Sequence, residues 1–442
     1  MAPLFRKRLV PFLLASLVLL ASCTMDRSPA GMSSSSPPPA SSEPSKEPQV
    51  VEPEPSSSSQ PDASPELEEP ATPIQEQLSS TNPSAFAEMD ATLAEIARTN
   101  SVSGCSLSIF EGEDILYSGS WGTASYRGGV TTAASADTKY RIASISKMVT
   151  AMLTMTLVED GKLSLDDELS QLIDVRLVSP DWPDDPPILE QLLSHTSGIV
   201  DSAAYNKAIG IIPYPSLDSL LDWGSSFSGN KPGTTYSYSN FGMGLVAAAI
   251  EKGSEQYFYD YANDTLFDPM ELDAGFMTDF VSDQDNIAAM GDVDPVSWGS
   301  MKRYYSSIPL GQMYLLAQGE LYISADDLAK VTMILAGDGS YNGVQYLMPE
   351  SIENMHTKRV YDEETNTARG LAVQIADDIV DGITLYGHQG NAYGSISCVF
   401  YDPVTHRGAV FLTNGSTLER ADNYVYQVNN DIIQAVWKCF EL

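Results

Sequence analysis

The sequence predicts an α/β domain, with one sheet built from both ends of the folded region and a separate, mostly helical lobe built from its middle. Three observations carry this. Near the start, apolar residues recur at helical spacing and then in short strand-like runs. From about Leu163 to Gly337 the chain reads as helices and loops. Beyond that it returns to strands and closes with a helix.

Taken in order, Asn82-Pro83 reads as a helix start, and Phe86, Met89, Leu93 and Ile96 follow at helical spacing. Cys105–Phe110 and Ile115–Tyr117 predict two strands, with E-G-E-D as the turn between them. Ser144–Glu159 is an apolar helix closed by Gly161. Near the end, Gly394–Tyr401 and Ala409–Thr413 predict two more strands, joined by D-P-V-T-H-R-G. Val425, Ile432, Ile433, Val436 and Phe440 mark a last helix. A cleft between the sheet and the helical lobe is where a site belongs.

Ahead of this region the chain changes character. Arg6, Lys7 and Arg8 precede an apolar run, Leu9 to Leu20, that is too short for a transmembrane helix and flanked as an export signal. It ends in L-A-S-C, which resembles a bacterial lipobox, in which the cysteine is lipidated. Residues 1–22 are therefore expected to be a lipoprotein signal peptide, and Cys23 its lipidation site. Residues 23–82 are Ser, Pro, Glu and Ala with almost no aromatic or branched apolar residues. Such a segment cannot bury enough surface to offset its ordering entropy, so a disordered, acidic tether is expected. Residues 83–442 would form the domain, held outside a bacterial membrane by the lipid.

The formal net charge is −35, which disfavours nucleic acid as a partner. Cys105, Cys398 and Cys439 are odd in number and widely spaced, and read as buried thiols rather than a disulfide framework. No cysteine has metal-ligand spacing and the four histidines do not cluster, so no metal or cofactor is expected.

The chemistry starts at Y-R-I-A-S-I-S-K-M-V-T-A, Tyr140 to Ala151, which places Ser144 and Lys147 three apart where a polar stretch meets a helix. Residues i and i+3 share a helix face. Unpaired N–H groups at the helix start would favour an oxyanion, and a desolvated amine could accept the serine proton. S-x-x-K alone is a weak signal. A second copy, Ser228 to Lys231, lies among Gly and Pro and reads as loop.

Serine β-lactamases and penicillin-binding proteins carry S-x-x-K at such a helix start. The class C branch, with its D,D-peptidase and esterase relatives, adds Y-x-N and then K-T-G or H-x-G. This chain resembles that branch: Tyr238-Ser239-Asn240 and His388-Gln389-Gly390 follow in the right order, with Q-L-L-S-H-T-S-G and G-E-L-Y-I-S-A-D-D-L-A-K as further blocks between them. Tyr261-Ala262-Asn263 and His406-Arg407-Gly408 match the same patterns, but the first reads as helix interior and the second as the turn between the last two strands, whereas His388 opens the strand before them. His195 reads as a structural anchor, Asp326-Asp327 as a helix start, and Glu190 as helix surface.

The resemblance implies a β-lactamase/transpeptidase-like fold, with an antiparallel sheet flanked by helices plus a helical lobe, and an acyl-enzyme mechanism. It makes Ser144 the nucleophile, Lys147 and Tyr238 the proton-shuttling pair, and Asn240 a partner of Lys147 or of the substrate amide. The backbone of Ser144 and Asn391, next to Gly390, would form the oxyanion hole. His388, in the place of the family's lysine, would line the pocket for a substrate carboxylate. Histidine is mostly neutral at pH 7, and its imidazolium would bind a carboxylate better, so kcat/KM would fall as pH rises through its pKa. H-Q-G in place of K-T-G weakens the expectation of β-lactamase activity. The expected substrate is a small-molecule or peptide acyl compound: a peptidoglycan stem peptide, a β-lactam or an ester. A non-catalytic binding or sensor lipoprotein is the alternative from another class.

Overall fold

The computed structural model describes residues 86–441 apart from 210–214, 223–225 and 292. The expected signal peptide, Cys23, the tether and the Asn82-Pro83 helix start lie outside the described residues.

A nine-stranded sheet dominates, and every neighbouring pair in it is antiparallel. Its spatial order is Val130–Ala133, Asp114–Arg127, Gly104–Glu111, Arg407–Thr413, Ser395–Asp402, Ile383–Ala392, Gln374–Val380, Thr367–Arg369 and Val360–Asp362. The two ends of the domain meet in the middle of the sheet, where Cys105 pairs with Thr413 and Glu111 with Arg407.

Alternation along the central strands sorts side chains to two buried faces. Cys398, Phe400, Ala409 and Phe411 pack on one side with Leu93, Ile432, Ile433 and Val436, from the helices Met89–Thr99 and Gln427–Phe440. Val399, Val410 and Leu412 pack on the other with Leu328 and Val331 of the helix Ala325–Ala336 and, beyond it, the helical lobe. Both faces are covered, so these strands read as continuous apolar runs, which is why the sequence reveals them. Cys105 and Cys398 are buried free thiols inside this sheet, and Cys439 is a half-buried one.

Two helices form the centre of the lobe, Ser146–Glu159 and Asn240–Ser254. They are apolar nearly all round and share a core of Met148, Met152, Phe241, Leu245 and Ala249. A helix apolar on every side is one buried on every side. The first brings Lys147 to the sheet, and the second brings Asn240.

The structure corrects several boundaries. The second strand runs over Asp114–Arg127, far beyond Ile115–Tyr117, because its later half is half-exposed and lacks an apolar alternation. The four strands between Val360 and Ala392 include only one, near His388, that the sequence suggested. His388 lies in the second half of Ile383–Ala392 and does not open it. Ser144 sits in a 3-10 turn, Ala143–Ile145, and the α-helix begins only at Ser146.

Candidate active site

The Ser144 turn is pinned from below. Tyr140 and Arg141 pair with Ile323 and Tyr322, and the Ile142 N–H donates to Leu321 O at 2.9 Å. The Arg141 guanidinium donates to Gly319 O at 2.9 Å and forms an ion pair with Glu320. Ala143 then adopts φ of 48°, the left-handed region that a residue with a Cβ adopts at a cost. This bend presents Ser144 at the mouth of the helix.

Lys147 follows in the first helical turn and is fully buried. Its Nζ lies 3.0 Å from Ser144 Oγ, 2.8 Å from Asn240 Oδ1 and 2.6 Å from the Gln318 carbonyl. The two acceptors are placed by their own partners. Asp201 accepts from Asn240 Nδ2 at 2.8 Å, from the Phe241 N–H at 2.8 Å and from the Ser239 hydroxyl at 3.0 Å. A carboxylate only accepts, so the amide NH₂ of Asn240 faces Asp201 and its oxygen faces Lys147. The Tyr205 hydroxyl bonds the Gln318 side chain.

The Tyr238 hydroxyl donates to Ser144 Oγ at 2.7 Å, and the Lys147 Nζ lies 4.9 Å from the centre of its ring. His195 holds this tyrosine. It has φ of 56°, its ring lies 4.5 Å from that of Tyr238, and its Nδ1 accepts the Ser239 N–H at 3.3 Å. That is the anchoring role the sequence suggested.

The strand Ile383–Ala392 closes the other side. A Cβ on Gly390 would stand 2.3 Å from Ile142 O, so only glycine lets this strand approach the nucleophile turn. Asn391 follows, with its side chain tied to the Tyr426 hydroxyl at 2.8 Å. Gln389 points away from Ser144. Its Oε1 accepts from the Tyr426 N–H at 3.0 Å and from Asn429 Nδ2 at 3.1 Å, which fastens the strand to the last helix. Glutamine in the H-x-G motif is thus a tether between strand and helix.

The expectation that His388 charges and discharges in the working pH range is corrected. Its Nδ1 lies 2.7 Å from Gln389 O and so carries the proton. Burial lowers its pKa to about 3. A group with its pKa so lowered is neutral throughout the range where an enzyme of this kind is assayed. The kcat/KM for any substrate is therefore expected to show no fall with rising pH between about 5 and 8 that follows histidine titration. An alkaline limb there, moved upward by His388→Lys, would restore the imidazolium.

The rival motifs lie elsewhere. Lys231 of the second S-x-x-K is half-exposed and paired with Asp185 at 2.8 Å. Tyr261 ends a short helix and bonds Thr156 at 2.8 Å. His406 occupies the turn after Ser395–Asp402. Asp326 sits at the start of Ala325–Ala336, where Ser118 donates to it at 2.8 Å. Glu190 is ion-paired with Arg359 at 3.3 Å on the helix Leu189–Leu193. Sequence reasoning missed Asp201, Tyr205 and Gln318. The first follows H-T-S-G-I-V without periodicity, and the last acts through a backbone carbonyl that no side-chain pattern reveals.

A serine, a buried amine and a tyrosine converging on one oxygen, between an antiparallel sheet and a helical lobe, define a serine hydrolase of the S-x-x-K type. The family model described as Beta-lactamase matches residues 89–431, and the chain belongs to that family. Penicillin-binding protein 4 of Amycolatopsis lactamdurans is 26% identical over 298 residues, which cover 65% of this chain and 75% of that protein. The octameric penicillin-binding protein homologue from Pyrococcus abyssi shares the fold with a TM-score of 0.63 at 22% identity, covering 80% of this chain and 77% of that one. D-amino acid amidase from Ochrobactrum anthropi SV3 does so with a TM-score of 0.61 at 20% identity, covering 81% and 98%.

Proposed function

We propose that this serine hydrolase is a lipid-anchored, extracytoplasmic enzyme of the D,D-carboxypeptidase type, acting on peptidoglycan-like peptides through an acyl-enzyme on Ser144. The observation that carries the mechanism is the set of contacts around Lys147. A neutral amine has two N–H bonds and one lone pair. Asn240 Oδ1 and Gln318 O are positioned to take the two N–H bonds, which turns the lone pair toward Ser144 Oγ at 3.0 Å.

The steps follow from that geometry. Ser144 Oγ attacks the acyl carbonyl as its proton passes to Lys147 Nζ. The carbonyl oxygen becomes an oxyanion, held by the N–H groups of Ser144 and Asn391. Losing one such donor typically costs about 10²–10³ in rate. Tyr238, bonded to Ser144 Oγ, hands a proton to the leaving amine and is reprotonated from Lys147. A water then gives up a proton to the Tyr238–Lys147 pair, attacks the ester, and Ser144 leaves with that proton restored. None of these steps uses a cofactor.

The peptide reading draws support from the similarity to Penicillin-binding protein 4 and to D-amino acid amidase. It is tested by incubating purified enzyme with a peptide ending in D-Ala-D-Ala and measuring released D-Ala, alongside labelling by fluorescent penicillin and by a fluorophosphonate. D-Ala release with penicillin labelling supports it. Turnover of neutral esters with fluorophosphonate labelling alone makes the protein a carboxylesterase. Labelling by neither reagent makes it a non-catalytic binder.

The anchor rests on L-A-S-C, and among the described residues no helix is long and apolar enough to cross a membrane. Cys23→Ala is expected to release the protein from the membrane fraction, because a stable anchor takes more than one acyl chain at that cysteine. A variant that still sediments with membranes contradicts the lipid anchor.

A further inference from the structure

Gly390 brings the strand Ile383–Ala392 against the nucleophile turn, and the residues on either side of it, Gln389 and Asn391, share one face of the strand. They pair across the sheet with Cys398 and Ile396, whose side chains pack with the last helix, Gln427–Phe440. One residue at the start of that helix fastens both. The Tyr426 N–H donates to Gln389 Oε1 at 3.0 Å, and the Tyr426 hydroxyl accepts from Asn391 Nδ2 at 2.8 Å.

Tyr426 is itself fixed. It is buried, its backbone bridges to Arg420, and the Arg420 guanidinium lies 4.1 Å from the centre of its ring. Three residues on, Asn429 Nδ2 donates to Gln389 Oε1 at 3.1 Å and to Ser397 O of the adjoining strand at 3.1 Å. The strand is thus clamped on both sides of Gly390, where the Asn391 N–H must be aimed at the developing oxyanion. Such donors act because they are in place before the charge develops, and a displacement of about 1 Å can cost about 10²-fold in rate.

We infer that Tyr426 is a positioning residue for the oxyanion hole. Its N–H and its hydroxyl hold the strand before and after Gly390, and so fix the Asn391 N–H that receives the oxyanion. The hydroxyl acts through the Asn391 side chain and touches no reacting atom. The inference rests on the acyl-enzyme reading but not on the class of substrate. It gives the last helix, which carries none of the three motifs, a part in setting the rate.

The test isolates the hydroxyl. Tyr426→Phe keeps the ring and the N–H to Gln389, and Asn391→Ala removes the other end of the same bond. Kinetics are measured on whichever of p-nitrophenyl butyrate and a D-Ala-D-Ala peptide the wild-type protein hydrolyses. Each variant is expected to lose about 10-fold in kcat with KM within about twofold, a fraction of the roughly 10²–10³ that losing a donor outright costs. The Ki of a trifluoromethyl ketone, whose carbonyl becomes an oxyanion on adding to Ser144, should rise by the same factor, which a loss of stability alone would not produce. The double variant should lose no more than either single one, because both break one bond. Unchanged kcat and Ki in Tyr426→Phe, or losses that multiply in the double variant, overturn the positioning role. If Tyr426→Phe shows no cooperative unfolding, kcat and Ki in Asn391→Ala decide alone. A wild-type protein with neither turnover nor an adduct on Ser144 fails differently, because that sinks the acyl-enzyme reading itself.

Discussion

Ser144→Ala is expected to lower kcat at least about 10⁴-fold on every substrate the protein hydrolyses, the scale on which removal of a nucleophile acts in other serine hydrolases. The fold should survive. The hydroxyl is one small acceptor at the mouth of a helix that is otherwise held by packing, and its loss costs about 1 kcal/mol of stability. Lys147 and Tyr238 keep their places, because Asn240, Gln318 and His195 fix them independently of Ser144. The check is a substrate progress curve beside a thermal melt. A variant that melts normally and still turns over at more than a hundredth of the wild-type rate would remove Ser144 from the mechanism.

Lys147 carries a different part of the chemistry. Lys147→Met replaces the amine with an apolar chain of similar length, and kcat/KM is expected to fall by about 10³-fold or more, near the upper range for loss of a general base. Two half-buried acceptors, Asn240 Oδ1 and the Gln318 carbonyl, then lack their donor, so stability should also drop by about 1–3 kcal/mol. The more telling variant is Lys147→Arg. A guanidinium still donates hydrogen bonds and still carries charge, but it cannot give up a proton in a protein. If Lys147 works as the base, the arginine variant is as inactive as the methionine one. Activity within tenfold of wild type in Lys147→Arg would mean that charge alone suffices.

Much of this site is legible in the sequence. Ser144, Lys147, Tyr238, Asn240, His388 and Gly390 sit in short motifs whose residue types carry their own chemistry, and the structure gathers them around one oxygen and the strand beside it. The sheet is legible where both faces are buried, as in Ser395–Asp402, because burial forces a continuous apolar run. It is not legible at Thr367–Arg369, a three-residue strand near the edge of the sheet with too few apolar positions for any period. The role of Asp201 depends on a contact across 39 residues of sequence, to Asn240, which no local pattern encodes. The charge of His388 escapes a reading by residue type, because identity fixes the ordinary pKa, whereas burial decides the actual one. Gln389 reads as a damaged carboxylate-binding motif, and only its contacts with Tyr426 and Asn429 show that it serves the fold.

The central claim is a covalent intermediate on Ser144, formed with Lys147 as base. Its most direct test is mass spectrometry of the purified protein after reaction with a fluorophosphonate or a penicillin, followed by digestion and mapping of the modified peptide. The expected result is one adduct per chain with at least one of the two reagents, located on Ser144, and no adduct in Lys147→Arg under the same conditions. An adduct on Ser228 or any other residue, or hydrolysis that continues while neither reagent modifies Ser144, would contradict it.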